Sequence, residues 1–331
     1  MMPALSYIIP FFKGEDTIIA MLDSIYTAPL PLDLFEVIIV DDCSPVPAAL
    51  VLKEYVLTHS NIRVMRHKVN KCQGGAKNTG IFAAKGKYVV FADQDDVMIP
   101  ENLAKALQEA LKNDVDMMAC HYVVQREDGS TKEYGLEEGD GLLLTGKEFC
   151  EQLFTTGYNL APWANLYKRE FLFRINRPYE ESVVMEDSDW IAWHWIHADK
   201  VGIFNEPIYN WIMNPLSVTH SLSYINRADW VKYGWRKIRD AKLYRQLSPV
   251  FSDIMYSDGY SNIVGGMKRV WKVDSYYHFY QHLGTTLKEL KSIEWHGIVK
   301  VLIHYPNFSI VMLSIIGPIL KTIRYAKHKL E

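Results

Sequence analysis

The chain has 331 residues, 49% of them hydrophobic, and a formal net charge of −3. That suffices for one large domain, or a domain with a substantial appendage, around a sizeable core, and it excludes a disordered or fibrous chain. The charge balance offers no general attraction to polyanions, so nucleic acid is not an expected partner.

The N-terminal MMPALSYIIPFFKGED lacks a basic start and a long apolar core, so no export is expected. SYIIP (6–10) reads as a buried strand, and Ile18, Ile19, Leu22 and Ile25 as the apolar side of a helix ending before Pro29. FEVIIVDD (35–42) is a second strand, followed by a helix near Ala48–Thr58. A third strand at IRVMRH (62–67), a helix near Gly74–Ala84 and a fourth strand at KYVVFAD (87–93) complete a β-α alternation. Apolar strands separated by helices predict a mainly parallel α/β sheet covered on both faces, with ligands bound at the carboxyl ends of its strands. Asp41 and Asp42 end the second strand; Asp93, Asp95 and Asp96 end the fourth.

Beyond that, IPENLAKALQEALKN (99–113) predicts a helix with Pro100 in its first turn and DMMAC (116–120) a strand. The segment 125–141 reads as a surface loop or hairpin. Helices follow near Gly146–Phe154 and Glu186–His197, with the Trp-containing APWANLYKREFL (161–172) between them and short strands VGIF and IYNWI after them. The composition then turns aromatic and basic with helical spacing, which places a domain boundary near 225 and a helical region at 226–331. Cys43, Cys72, Cys120 and Cys150 form no C-x-x-C pair, which fits reduced thiols in the cytosol rather than a zinc site or a disulfide framework.

In an extended chain the Asp93 and Asp95 side chains share a face, where two carboxylates can hold a hard divalent cation together with substrate phosphate oxygens. The alternative for the cluster is a helix cap, the natural role for Asp96. Val97 and Met98 stand where an EF-hand needs a ligand and a glycine. DQDDV also fits the D-x-D-x-[TV] of dehalogenase-type phosphatases, with Asp93 as nucleophile, but that motif follows a first strand and three strands precede this one. NKCQGGAKNTG (70–80) contains neither a dinucleotide fingerprint nor a P-loop. Its glycines could let backbone N–H groups and Lys77 approach a phosphate, or form a tight turn with a solvated lysine.

The ordered set IIPFFKGE, VIIVDDCSP, GGAKNTGIFAAKGKYVVFADQDD, APWANLYKREFL, MEDSDW and IYNWIMNPLSVTH resembles the inverting family 2 glycosyltransferases of the GT-A fold, especially bacterial enzymes of capsule, exopolysaccharide and lipopolysaccharide synthesis. The resemblance spans residues 5 to about 220 and implies a Rossmann-like sheet flanked by helices in a domain at 1–225. It implies a nucleotide-sugar donor, with UDP expected, a glycan or lipid-linked glycan acceptor, and Mn²⁺ or Mg²⁺ as cofactor. By the same resemblance Pro10 and Phe12 line the nucleobase site, Phe12 and Lys13 replacing the family's Tyr and Asn. Asp42 meets the uracil, Lys77 stands near the donor in place of Arg, Asp95 ligates the cation, and Asp93 completes D-x-D toward the donor.

Of the acids in MEDSDW, the resemblance makes Asp187 the base and Glu186 an orienting or acceptor-side carboxylate, with Asp189 as competitor. Read without it, they are dipole complements of a helix start. Trp163 and Trp211 are candidate sugar platforms or core residues. His220 is a candidate additional metal ligand or a capping residue. At the end, the apolar run Phe308–Leu320 precedes Lys321, Arg324, Lys327 and Lys329. It is shorter than the about 20 residues a spanning helix needs, and suits an interfacial helix at 307–330 on anionic lipid, at the inner face of the cytoplasmic membrane. A core or dimer-contact helix is the alternative, so a homo-oligomer stays open. A non-catalytic sugar-nucleotide or glycan-binding module and a magnesium phosphatase are the competing functions.

Overall fold

The computed structural model describes residues 2–27, 29–136, 139–156, 161–214 and 223–314. The chain forms two compact units, Met1–Asn214 and Pro215–Glu331.

The first unit opens with β1 (Leu5–Phe11), α1 (Ile18–Tyr26), β2 (Phe35–Asp41), α2 (Ala48–Val51), α3 (Lys53–Thr58), β3 (Ile62–Arg66), α4 (Cys72–Ala83) and β4 (Tyr88–Phe91). β5 (Val97–Met98), α5 (Pro100–Asn113), β6 (Met117–Gln125), β7 (Thr131–Tyr134), β8 (Leu143–Leu144) and α6 (Gly146–Thr156) come next. β9 (Asn165–Lys168), α7 (Arg169–Ile175), α8 (Asp187–Ile196) and β10 (Val201–Ile212) complete it.

All strands join one sheet of order β3-β2-β1-β4-β9-β6-β10-β5, with β7 beside β6 and β8 beside β10. β3, β2, β1 and β4 pair in parallel, as the β-α alternation predicts. Every residue of β1, β2 and β4 is buried, so each Ile or Val contributes about 1.5–3 kcal/mol and no exposed face is left to alternate. The second half is mixed: β9 enters antiparallel between β4 and β6, while β10 runs parallel to β6. The segment at 125–141 resolves into a β6–β7 hairpin pairing.

Local boundaries shift for physical reasons. The helix expected over Ala48–Thr58 is two short helices separated at Leu52, whose backbone leaves the helical region. The two strands expected at VGIF and IYNWI are one strand, β10, with its register displaced around Pro207, which lacks an N–H for the ladder. α1 buries Ile18, Met21, Leu22 and Ile25, a single i, i+3, i+4, i+7 stripe. α5 starts with Pro100 and stops where Asp114 turns left-handed.

The second unit is helical: α9 (Tyr224–Tyr244), α10 (Pro249–Lys268), a 3₁₀ turn at Val270–Lys272, α11 (Tyr276–Leu283), α12 (Thr285–Leu290) and α13 (Gly297–His304). Ser223, Ser248 and Ser275 cap α9, α10 and α11 by accepting from the third backbone N–H beyond. α9 and α10 approach closely at Gly234 and Gly259, where a Cβ on either would lie 2.5–2.6 Å from the other's carbonyl oxygen. Val231, Ile263, Phe279, Trp295 and Leu302 belong to the core of this unit. His220 and residues 315–330 of the basic C-terminal segment lie outside the described residues.

Candidate active site

The site is built from the loops leaving β1, β2 and β4, one face of α4, and the start of α8. Pro10 is buried within β1, opposite Val40. Phe12, just past the strand, is 41% exposed. Its backbone is fixed on both sides: Gln94 accepts from Phe12 N–H at 3.0 Å and donates to Phe12 C=O at 2.9 Å. Lys13 N–H donates to Ser44 Oγ at 2.9 Å, tying the first loop to the second.

The acids at the end of β2 divide their work. Asp41 accepts from Ser44 N–H and Ala48 N–H and pairs with Arg66, holding the turn into α2. Asp42 Oδ1 meets His67 Nδ1 at 2.7 Å and accepts from Lys71 N–H at 2.8 Å. The other nitrogen of His67 meets Thr79 Oγ1 at 2.8 Å.

At the end of β4 the geometry departs from the extended chain. The strand stops at Phe91, and the backbone turns at Gln94–Asp95, with Asp96 N–H donating to Asp93 C=O. Strand alternation therefore does not orient Asp93 and Asp95. Asp96 caps no helix: Ile99 holds that position before α5. Asp96 instead accepts from Tyr209 O–H at 2.7 Å and Ile212 N–H at 2.8 Å, fastening the end of β10 to the turn. Tyr209 also accepts from Asp93 N–H at 2.9 Å.

Lys77 is neither in a turn nor solvated. It sits within α4, 2% exposed, and donates to Glu186 Oε1 at 3.0 Å. Gly74 and Gly75 also lie inside α4. A Cβ at Gly74 would fall 2.4 Å from Glu180 C=O and 3.0 Å from Glu186 Cγ, so this glycine serves close packing. Asn78, one residue beyond Lys77, donates to Tyr179 C=O and accepts from Tyr179 N–H.

Glu186 occupies the N-cap position of α8 without capping it, and Asp187 begins the helix. Asp189 pairs with Arg177 at 3.7 Å. Trp163 is buried, stacked on Tyr209 at 4.5 Å and edge-on to Tyr122; Trp211 is half-buried, 6.2 Å from Trp163. The Trp163 ring therefore packs in an aromatic group whose Tyr209 hydroxyl reaches the Asp93 turn.

The electrostatics unite the second cluster. Burial pushes Asp93 up to about 6; Lys77 opposes the rise, and Asp95, Glu186 and Asp187 add to it. Burial also raises Asp95. Burial acts against the Lys77 charge, but Glu186, Asp93 and Asp187 together hold its pKa above the ordinary value. Asp93 Oδ1 and the Tyr179 hydroxyl are enclosed with no hydrogen-bond partner. An unpartnered buried carboxylate oxygen is costly unless a ligand completes it.

No group of three or more His, Cys, Asp or Glu side chains converges as a metal cage among the described residues. The enclosed Asp93 oxygen beside Asp95 offers hard donors suited to a cation that takes its remaining ligands from phosphate and water.

Residues 6–173 match the family described as Glycosyl transferase family 2. The chain belongs to this family. It is 31% identical over 223 residues to the uncharacterized glycosyltransferase EpsJ of Bacillus subtilis (strain 168), a match covering 66% of this chain and 64% of that protein. The chain thus spans a little under two thirds of that curated relative. S. aureus TarS 1-349, in a crystal structure with UDP-GlcNAc, superposes with a TM-score of 0.61 at 16% identity, over 97% of this chain and 92% of that one. The mannosyltransferase PcManGT of Pyrobaculum calidifontis, in complex with GDP-Man and Mn²⁺, superposes at 0.54 with 17% identity, over 96% and 87%. These likenesses establish the GT-A fold of family 2 members.

Sequence reasoning named Asp42, Lys77, Asp93, Glu186 and Asp187 but missed His67, which meets Asp42, Tyr209, which meets Asp93 N–H, and the Asn78–Tyr179 pair beside Lys77. Each is a single polar residue whose partner lies 25 to 116 positions away, so no local pattern marks it.

Proposed function

We propose that this chain is a metal-dependent inverting glycosyltransferase that moves a sugar from a nucleoside diphosphate donor, UDP-linked by preference, to a glycan or lipid-linked glycan hydroxyl. The observation that carries the reading is the enclosed, unpartnered Asp93 oxygen within the electrostatic reach of Lys77, Glu186 and Asp187. In this reading Phe12 offers its exposed ring to the nucleobase and Asp42 meets the uracil. Asp93 and Asp95 would hold a divalent cation, Mn²⁺ or Mg²⁺, which would supply charge neutralisation for the diphosphate. Asp187 removes the proton of the attacking hydroxyl. A nucleoside diphosphate leaves without a proton donor, and a single displacement inverts the anomeric centre. Trp211 is the better candidate for a sugar face, since Trp163 is packed among other rings.

Thermal stabilisation by UDP, GDP and their sugars, with and without Mn²⁺ or Mg²⁺, tests the reading. Stabilisation that needs the cation, followed by transfer or slow hydrolysis of the same donor, is expected. Stabilisation with no turnover of any donor favours the non-catalytic binding module.

We infer also that α13 and the helical segment Pro306–Ser314 rest on an anionic membrane surface. No single helix among the described residues is long and apolar enough to cross a membrane, but these two, bent by 111°, reach that length and apolar content together. Ile298, Tyr305, Phe308 and Val311 are exposed while Val299, Leu302, Ile303 and Leu313 fill the core, so the pair is apolar on both sides. From Trp295 to Leu330 the sequence has no Asp or Glu but contains Lys300, Lys321, Arg324, Lys327 and Lys329. Co-sedimentation of the full chain with phosphatidylglycerol vesicles is expected, reduced by F308S and by high salt. Equal binding to purely zwitterionic vesicles would contradict it.

A further inference from the structure

The Lys77 ammonium has a geometry at odds with a direct role on the donor diphosphate. A lysine that neutralises a donor diphosphate should reach into the ligand space. This one is 2% exposed, donates to Glu186 at 3.0 Å, and lies 5.3 Å from the centre of the Tyr179 ring. Glu186 is itself 5% exposed, so both charges of the pair are desolvated and each depends on the other.

The pair does not stand alone. Gly74, Lys77 and Asn78 fall at i, i+3 and i+4 and share one face of α4. All three bear on the segment that leads into α8: Gly74 by close approach to Glu180 and Glu186, Lys77 by its ion pair, and Asn78 by two hydrogen bonds to the Tyr179 backbone. Within that segment Ser182 and Met185 adopt left-handed backbone, φ 61° and 67°. Non-glycine residues hold such conformations only at an energetic cost, where surrounding contacts impose them. Met185 immediately precedes Glu186 and Asp187. Ser182 is held as well, its N–H donating to Lys71 C=O at 2.7 Å.

We propose that Lys77 is a positioning residue for the acceptor-side base: through Glu186 it fixes the strained entry to α8, and hence the carboxylate of Asp187, relative to Asp93. It makes no contact with the donor phosphates. The proposal rests on the transferase reading and assigns this face of α4 the task of setting the distance between the base and the cation side. A shift of about 1 Å in such a distance lowers turnover on the order of 10²-fold.

The test compares the wild-type full chain with K77M, K77R and E186Q, measuring UDP·Mn²⁺ affinity by calorimetry and steady-state turnover of the donor found by screening. For K77M and E186Q the expectation is UDP·Mn²⁺ affinity within about threefold of wild type and kcat lower on the order of 10²-fold, with donor KM little changed. K77R, which can still donate to Glu186, recovers part of the kcat. Should K77M fail to fold, E186Q gives the same reading, since its amide still fills the site. A tenfold or greater loss of UDP·Mn²⁺ affinity in K77M overturns the proposal, because it returns Lys77 to the phosphates, and so does an unchanged kcat. A wild-type chain that binds no nucleotide and turns over no donor overturns the transferase reading, and the proposal with it.

Discussion

At the end of β2, the carboxylates of Asp41 and Asp42 are engaged by Ser44 N–H, Ala48 N–H, Arg66, His67 and Lys71 N–H. At the end of β4, Asp93 keeps an enclosed oxygen with no hydrogen-bond partner, and it shares the buried ammonium of Lys77 with two further acids, Glu186 and Asp187. The same strand-end position thus serves two purposes. The first pair is engaged by the protein and fixes loops, Asp42 through its Oδ1; at the second the protein leaves an enclosed Asp93 oxygen without a partner. Charge alone does not separate the two, since both are aspartates at parallel strand ends.

Four changes probe that difference, and the largest effect is expected at the base. D187N should lower kcat about 10²–10⁴-fold while UDP·Mn²⁺ binding is retained, because only the proton transfer is lost. Loss of binding in parallel with kcat would place Asp187 on the donor side instead. D93N should reduce the cation-dependent part of UDP affinity on the order of 10²-fold, and calorimetry with and without Mn²⁺ separates that part.

A third effect concerns the seating of α8, which carries Asp187. His194 is fully buried on Trp190 and donates its Nδ1–H to Trp190 C=O at 2.7 Å. Burial lowers its pKa from 6.5 to about 3. The unfolded chain therefore takes up this proton first as pH falls. Stability present above pH 6.5 is lost toward pH 3, at up to about 1.4 kcal/mol per pH unit for this one group. Urea unfolding from pH 7 to 4.5 should show a steeper decline for wild type than for H194F; parallel slopes would contradict it. The smallest effect is expected at the engaged pair: H67Q should weaken UDP about threefold to tenfold with kcat unchanged, since Asp42 keeps the Lys71 N–H.

Much of this was legible from sequence, for reasons that differ by region. The parallel half follows from local β-α alternation, and Leu5–Phe11, Phe35–Asp41 and Tyr88–Phe91 are apolar enough to be read as buried strands. The antiparallel entry of Asn165–Lys168 between β4 and β6 is set by pairing across long separations, to which periodicity is blind. In the site, acids at strand ends announced themselves, whereas Tyr209 looked like any strand aromatic until its hydroxyl met both Asp93 and Asp96. The helix near Gly74–Ala84 was legible, but the partner of Lys77 was not, because Glu186 lies 109 positions away and Gly74 serves the close approach of that distant segment.

The two bonds between Gln94 and the Phe12 backbone have a thermodynamic consequence. Gln94 stands between Asp93 and Asp95, so two hydrogen bonds join the turn that would seat the cation to the loop that carries the Phe12 ring. Gly14 admits this clamp, since a Cβ there would lie 2.2 Å from Gln94 Oε1. If the proposed roles hold, nucleobase and metal should not bind as independent events: whatever ordering one imposes on the clamp, the other would no longer have to impose. Linkage requires the effect to be mutual, so UDP should raise affinity for Mn²⁺ by the same factor that Mn²⁺ raises affinity for UDP. Substituting Gln94 should shrink that factor without removing either ligand's own contacts.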